Sequence, residues 1–493
     1  MKMLSNQAKE LVKALCQTRF YGMMVRQDPN QNSRLNMVIA VVEDGTFQID
    51  KYVENTVDYA KVGDHYYSDK APGVALLGIP LYSGLKFFLD MPVMDTLMEK
   101  LSNNSAFQST LRQGGSGILK HKVRFAIAQV FLTIMLSAIP TALLAVLMYR
   151  LLGEFDKNVW HRLAVVIGYG LLTPAFAYAG AFYGHQFSTF LLFAAFYLIF
   201  MHAVTTKTLL TVGLLLGYSV VTEYPSVLMI IVIYFYTLYK LYHTDDWKRI
   251  GWVTLTGGIV AIFWMGYNTT IFGSPLELGY SHSELWQDQH HTGFMSLTLP
   301  SLEAMWGITF GMFRGLFFLS PLLLLSIPGF WLWWRSGKYR AEWILSMACT
   351  LIIFLFNSSS SMWWGGFAIG PRYLLPMLPF MSLSIIFVFK LWEHKPVGNY
   401  LRFLPGLTLF LYAWSFVVTW GLTLAEQSFP SDTIRNPFVE YAIPNWQIGN
   451  IARNAGTILG FKGMLSLIPL FIIVMILVGG WWLLTQRHET SSP

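Results

Sequence analysis

The residues that could do chemistry concentrate in two kinds of place. The first is a polar stretch near the N-terminus. It runs from Asp28-Pro29-Asn30-Gln31-Asn32-Ser33-Arg34 through Asp44, Asp50 and Asp58 to Asp69-Lys70. Carboxylates so placed can take a proton from an acceptor hydroxyl, and Lys70 can balance a phosphate or orient Asp69. The same residues would also suit an ordinary solvated loop. What shifts the balance is the run His65-Tyr66-Tyr67-Ser68-Asp69-Lys70-Ala71-Pro72-Gly73, where a charged pair lies between aromatics and a Pro-Gly turn. The second kind of place is the ends of apolar segments. His185 follows Tyr183-Gly184, and Glu223 lies in Thr222-Glu223-Tyr224-Pro225. Arg314 lies in Phe313-Arg314-Gly315 and Arg372 in Gly370-Pro371-Arg372-Tyr373. An ionisable group at membrane depth is expensive and is a functional candidate by default. A guanidinium there can bind a phosphate through its bidentate fork. The competing uses are helix caps for His185 and Glu223, and snorkelling to lipid headgroups for the two arginines. Trp363-Trp364-Gly365-Gly366, just before Arg372, fits either a sugar or lipid groove or an aromatic belt at the membrane boundary.

The elements that position these residues are membrane spans. Of 493 residues, 54% are hydrophobic and only 12% charged, against about 25% charged in soluble domains. About 20 apolar residues cross the hydrocarbon core. Eleven segments come close: 124-150, 163-182, 186-204, 208-222, 226-242, 251-272, 316-334, 343-357, 374-391, 403-423 and 463-485. Segments 208-222 and 343-357 are short, which suits tilted, broken or re-entrant helices. The expected fold class is therefore an all-α polytopic membrane protein of about 11 spans.

Cytoplasmic loops are enriched in Lys and Arg. Every second gap between spans carries them: Arg150, Lys157 and Arg162; Lys207; Lys240, Lys248 and Arg249; Arg335, Lys338 and Arg340; Lys390, Lys395 and Arg402; then Arg487. The alternate short gaps hold only Arg314 or Arg372. This pattern predicts a cytoplasmic C-terminus (486-493), and three large external segments at 1-123, 273-315 and 424-462 around a helical domain at 124-485. Residues 1-123 read as an extracytoplasmic cap. Within it, Ser33, the apolar run Leu35 to Val42 and Gly45 read as a short helix with a start and a stop, and residues 73-92 as a stretch lying in the interface. An external first segment calls for a preceding span, and residues 10-25 are too polar and short to be one. Either a first helix precedes this start, or the segment is exported by the span that follows.

The net charge of +7 is explained by those short basic loops, so nucleic acid is not an expected partner. Cys16 and Cys349 make neither a disulfide framework nor a metal site. His290-His291 point apart in regular structure and lack a third ligand at suitable spacing, so no metal site is expected. No Walker loop or dinucleotide fingerprint is present, and no cofactor is expected beyond a donor substrate.

Taken together, these residues resemble the GT-C superfamily of glycosyltransferases that use polyprenyl-phosphate sugars, a group including protein O-mannosyltransferases and lipid A aminoarabinose transferases. The resemblance rests on Asn32-Ser33-Arg34, Gly45-Thr46-Phe47-Gln48-Ile49-Asp50, Tyr67-Ser68-Asp69-Lys70-Ala71-Pro72-Gly73, Gly184-His185, Thr222-Glu223-Tyr224-Pro225, Arg314-Gly315-Leu316-Phe317 and Gly370-Pro371-Arg372-Tyr373-Leu374-Leu375-Pro376. Their order and shared membrane side, over residues 30-380, make the set specific although each piece is weak. The resemblance implies a GT-C-like bundle, a polyprenyl-phosphate-linked sugar as partner, a first-loop carboxylate as base and cations on the leaving phosphate. It implies an active site on the external face of the cytoplasmic membrane. Many relatives carry an Asp-Glu pair where this chain has Gln31-Asn32, so the base must be another acid. Asp50 is the first choice, with Asp58 and Asp69 as alternatives and Asp28 behind them. Arg314 and Arg372 are expected to hold the donor phosphate, Lys70 to help in the same role or orient Asp69, and Arg34, His185 and Glu223 to line the substrate cavity. The competing class is a transporter or flippase for a lipid-linked sugar. It predicts internal repeats and mid-membrane polar groups, whereas no repeat is visible and the polar groups share one side.

Overall fold

A computed structural model describes residues 29–103, 119–284, 296–393, 403–476 and 479. Asp28, His290-His291, Cys16, Lys395, Arg402 and Arg487 lie outside the described residues.

Each of the eleven apolar segments carries helix, and the protein is a polytopic membrane protein. Among the described residues, six helices are long and apolar enough to cross a bilayer: Lys122–Phe155, Gly184–Met201, Trp247–Phe272, Arg340–Ser358, Arg372–Leu391 and Leu404–Leu424. The shorter apolar helices Val159–Leu172, Thr206–Thr222, Ser226–Tyr242 and Gly463–Ile476 accompany them. Prolines explain why several are short. Segment 163-182 breaks at Thr173, whose hydroxyl caps a separate turn of helix Pro174–Ala179, as expected where proline removes a donor and fixes φ. Segment 316-334 breaks at Ser320-Pro321 into Leu316–Leu319, Pro321–Leu325 and Ser326–Arg335. The Ser415 hydroxyl accepts from the Leu322 N–H at 3.1 Å, re-satisfying the interrupted backbone.

The first segment differs from its sequence expectation in where its helix lies. Its helix already includes Pro29, ahead of Ser33, and runs through Ile39 into a π-helical turn, Ala40–Asp44. Proline fits a first helical turn, and the Ser33 hydroxyl pairs with the Ser68 hydroxyl at 2.9 Å instead of capping. The stop is at Gly45, with φ of 70°. Residues 73-92 form the helix Gly73–Leu89, which turns by 94° into Pro92–Ser102. The otherwise helical fold also contains a small antiparallel hairpin, β1 (Ala60–Val62) and β2 (His65–Tyr67), pairing Ala60 with Tyr67 and Lys61 with Tyr66.

Two apolar cores hold these parts. The larger lies within the bundle. The smaller joins Leu35, Val38 and Ile49 to Val74, Tyr82, Leu132 and Phe182. It seats the first segment on the span Lys122–Phe155. Polar contacts sort to two ends. At one, Lys390 donates to the Phe155 carbonyl at 2.8 Å, Tyr339 donates to the Glu154 carbonyl at 3.2 Å, and Lys240 pairs with Glu342 at 2.9 Å. The gaps rich in Lys and Arg thus meet one another. The opposite end gathers the residues described next.

Candidate active site

Five chain segments meet at this second end. The Pro29–Ile39 helix presents Arg34, which is 2% exposed. Its guanidinium donates through Nη1 to the Ala71 carbonyl at 2.8 Å, through Nε to Asn30 at 3.2 Å, and through Nη2 to Glu223 Oε1 at 3.0 Å. Glu223 stands just past the helix Thr206–Thr222, at the turn into Ser226–Tyr242. Its second oxygen lies 3.5 Å from His185 Nδ1. His185 opens the helix Gly184–Met201. Its ring stacks on Tyr183, with centroids 5.7 Å apart, and meets Tyr373 edge-on at 5.9 Å. Burial holds the Glu223 carboxyl above the ordinary carboxylate range, while Arg34, Arg372 and Lys70 draw it back.

The approach of Gly73 to the helix end at Thr222 explains why a glycine follows Pro72. A β-carbon there would fall 2.8 Å from the Thr222 backbone. The Gly73 carbonyl accepts from the Tyr218 hydroxyl at 2.7 Å. This contact fixes the preceding Ser68-Asp69-Lys70 run beside Arg34. Lys70 Nζ lies 3.0 Å from Asp58 Oδ2 and 3.0 Å from Asp69 Oδ2. Burial raises the Asp69 carboxyl above its usual range. Lys70 opposes this shift and Asp58 adds to it. Burial pulls the Lys70 ammonium down, but the two carboxylates outweigh it and hold its proton more tightly than usual.

Arg372 opens the span Arg372–Leu391. Its Nη1 and Nη2 donate to the Tyr183 and Tyr373 hydroxyls at long distances of 3.4 Å. Both rings lie under its charge, at 5.5 and 5.2 Å. Its buried Nε has no hydrogen-bond partner, and no described carboxylate pairs with it. Arg372 is therefore a sheltered cation with spare donor capacity beside His185.

Two expected residues sit differently. Asp50 lies on the rim of the hairpin with its side chain 38% exposed. It accepts from the Tyr66 N–H at 2.7 Å and pairs with His65 at 2.8 Å. These contacts hold β2 in place and do not join Asp50 to Arg34, Asp69 or Arg372. Arg314 is fully buried. It donates to the carbonyls of Trp364, Gly366 and Phe313 at 3.1, 2.8 and 3.2 Å. Burial lowers its pKa to about 10. Its fork ties Trp364 and Gly366 into the turn before Arg372. Gln31 is engaged by backbone as well: its Oε1 accepts from the Phe182 N–H at 2.8 Å. Tyr183 and Tyr373 were not singled out by the sequence as site residues. Their adjacency to Gly184-His185 and Arg372 was the available signal. Among the described residues, no group of three or more His, Cys, Asp or Glu side chains is placed to hold a metal ion.

No protein-family profile and no curated protein sequence matches the chain. Among solved structures, it is similar to ArnT from Cupriavidus metallidurans, crystallised bound to undecaprenyl phosphate, with 12% identity and a TM-score of 0.49. That alignment covers 96% of this chain and 74% of the other. It is also similar to the Archaeoglobus fulgidus oligosaccharyltransferase in its apo form, with 10% identity and a TM-score of 0.42, over 84% of this chain and 55% of the other. At these scores neither likeness bears on function.

Proposed function

We propose that this protein is a GT-C-type glycosyltransferase that moves a sugar from a polyprenyl-phosphate donor to a hydroxyl acceptor, at the external face of the cytoplasmic membrane. The observation that carries the reading is Arg372. It is a sheltered guanidinium at the end of a span, neutralised by no described carboxylate and surrounded by phenols. A lipid phosphate supplies the missing charge and accepts the unused donors. The run of Lys and Arg gaps at the opposite end supports placing this site outside and the C-terminus inside.

The chemistry follows from the neighbouring group. Asp69 takes the proton of the acceptor hydroxyl. That oxygen attacks the anomeric carbon, the bond from this carbon to the phosphate oxygen breaks, and polyprenyl phosphate leaves. Arg372 stabilises the charge that grows on the leaving phosphate. Asp69 replaces Asp50 as the base in this reading because Asp50 is committed to His65 and the Tyr66 N–H on the rim. Asp58 shares Lys70 with Asp69, and Arg34, Glu223 and His185 set the wall between the carboxylates and Arg372.

Binding tests the central contact. Purified protein in nanodiscs is titrated with undecaprenyl phosphate and with undecaprenol, as wild type and as Arg372→Gln. The expected result is at least a tenfold preference of wild type for the phosphate lipid, lost in Arg372→Gln. Equal binding of both lipids by wild type would remove the reading.

A further inference from the structure

Lys70 and Arg372 are both cations near the proposed site, yet their surroundings differ. An ammonium has three N–H groups. At Lys70, Asp58 and Asp69 each lie 3.0 Å from Nζ. The ring of Tyr280 covers a further side, with its centroid 5.6 Å from Nζ, within the range of a cation–π contact. The Lys70 side chain is 9% exposed.

Tyr280 comes from a distant part of the chain, and its segment is built to reach this spot. Gly279 packs so tightly on Asp69 that a β-carbon would lie 2.8 Å from the Asp69 Cα and 2.9 Å from its carbonyl oxygen. Four residues on, Ser283 bridges to Ala60 of β1. Glu284 then accepts from the Tyr59 hydroxyl at 3.0 Å and pairs with Lys61 at 3.5 Å. The segment Gly279 to Glu284 is thus anchored at both ends on the first segment, with Tyr280 held between.

We infer that Tyr280 is a positioning residue that closes the third side of the Lys70 ammonium, so that Lys70 orients the Asp58 and Asp69 carboxylates while Arg372 alone receives the donor phosphate. The inference rests on the functional reading above for the word donor, but the enclosure of Lys70 stands on this geometry. It divides labour between two cations and decides between the two roles that the sequence left open for Lys70.

The test is lysine labelling on the full-length protein in nanodiscs, using an acylating amine reagent and mass spectrometry, with exposed Lys51 as the internal reference. In wild type and in Tyr280→Phe, which keeps the ring, Lys70 is expected to label at least tenfold more slowly than Lys51. In Tyr280→Leu, Lys70 labelling is expected to rise at least fivefold relative to Lys51, with an unchanged thermal unfolding transition as evidence of a folded chain. Saturating undecaprenyl phosphate is expected to leave the Lys70 rate in Tyr280→Leu within twofold of that seen with undecaprenol. Lys70 labelling as fast as Lys51 in wild type would overturn the enclosure. An unchanged rate in Tyr280→Leu would remove Tyr280 as its wall. Suppression by undecaprenyl phosphate but not by undecaprenol would make Lys70 a phosphate ligand and overturn the division of labour. Failure of wild type to bind undecaprenyl phosphate would strike the functional reading and the phosphate assignment, leaving the first two labelling outcomes to decide the enclosure.

Discussion

Arg34 and Glu223 are joined by a 3.0 Å ion pair across 189 residues of sequence, both buried, linking the Pro29–Ile39 helix to a turn between two apolar helices. The pair fixes the distance between the Asp69-Lys70 run and the His185–Arg372 side of the site. Breaking a buried pair from one side leaves an uncompensated charge, at a cost of about 3–5 kcal/mol. Arg34→Met is expected to lower the unfolding temperature of the detergent-solubilised protein markedly. Arg34→Met combined with Glu223→Gln should lose less than the sum of the two single changes. Additive losses would show that the two side chains act independently.

The two acids at opposite ends of the first-loop hairpin are expected to behave differently. Asp69→Asn should lower transfer at least a hundredfold, the order expected for loss of a general base. Asp50→Asn should keep transfer within about threefold of wild type. Complementation of a deletion strain, read by glycan and lipid analysis, checks both. Rescue by Asp69→Asn with failure by Asp50→Asn would restore the sequence's first choice.

The pH dependence has a definite sign. Burial holds the folded-state Asp69 carboxyl above its ordinary value. A base must be ionised, so activity is lost as pH falls through this raised value. The acid limb of the rate profile should therefore lie above the usual carboxylate range near 4. The same shift works against stability as the group ionises. Asp69→Asn should thus be relatively more stable than wild type above that limb and lose this advantage below it. Thermal unfolding at several pH values measures the second effect, and a limb at or below pH 4 would contradict the assignment.

Arg314 should matter through the turn it holds. Lysine cannot reproduce a fork serving the Trp364 and Gly366 carbonyls. Arg314→Lys is expected to lower stability by about 2 kcal/mol and to weaken undecaprenyl phosphate binding less than Arg372→Gln does. Binding losses equal to those of Arg372→Gln would return Arg314 to direct phosphate contact.

The spans and the segments that meet at the site were legible because hydropathy and proline placement act locally. Glu223 and His185 stood out because a charge at the end of an apolar run has few innocent uses, and the structure brings them together with Arg34. Asp50 and Arg314 have surroundings that the sequence did not indicate, for one shared reason. Type and spacing show that a carboxylate or guanidinium is present, but not whether backbone groups already occupy it. The Tyr66 N–H and the Trp364 and Gly366 carbonyls do so here. Tyr280 was illegible because its partner, Lys70, is 210 residues away, and nothing local to Gly279-Tyr280 signals that contact.

The most direct measurement follows both lipid and phosphate in proteoliposomes. Vesicles carry lipids extracted from a deletion strain together with a membrane fraction of that strain as acceptor, and free polyprenyl phosphate is quantified by mass spectrometry. Wild type should release polyprenyl phosphate while the acceptor gains sugar, and Asp69→Asn and Arg372→Gln should release almost none. Transbilayer movement of the sugar lipid by wild type, with no polyprenyl phosphate released, would contradict the account and make the protein a flippase.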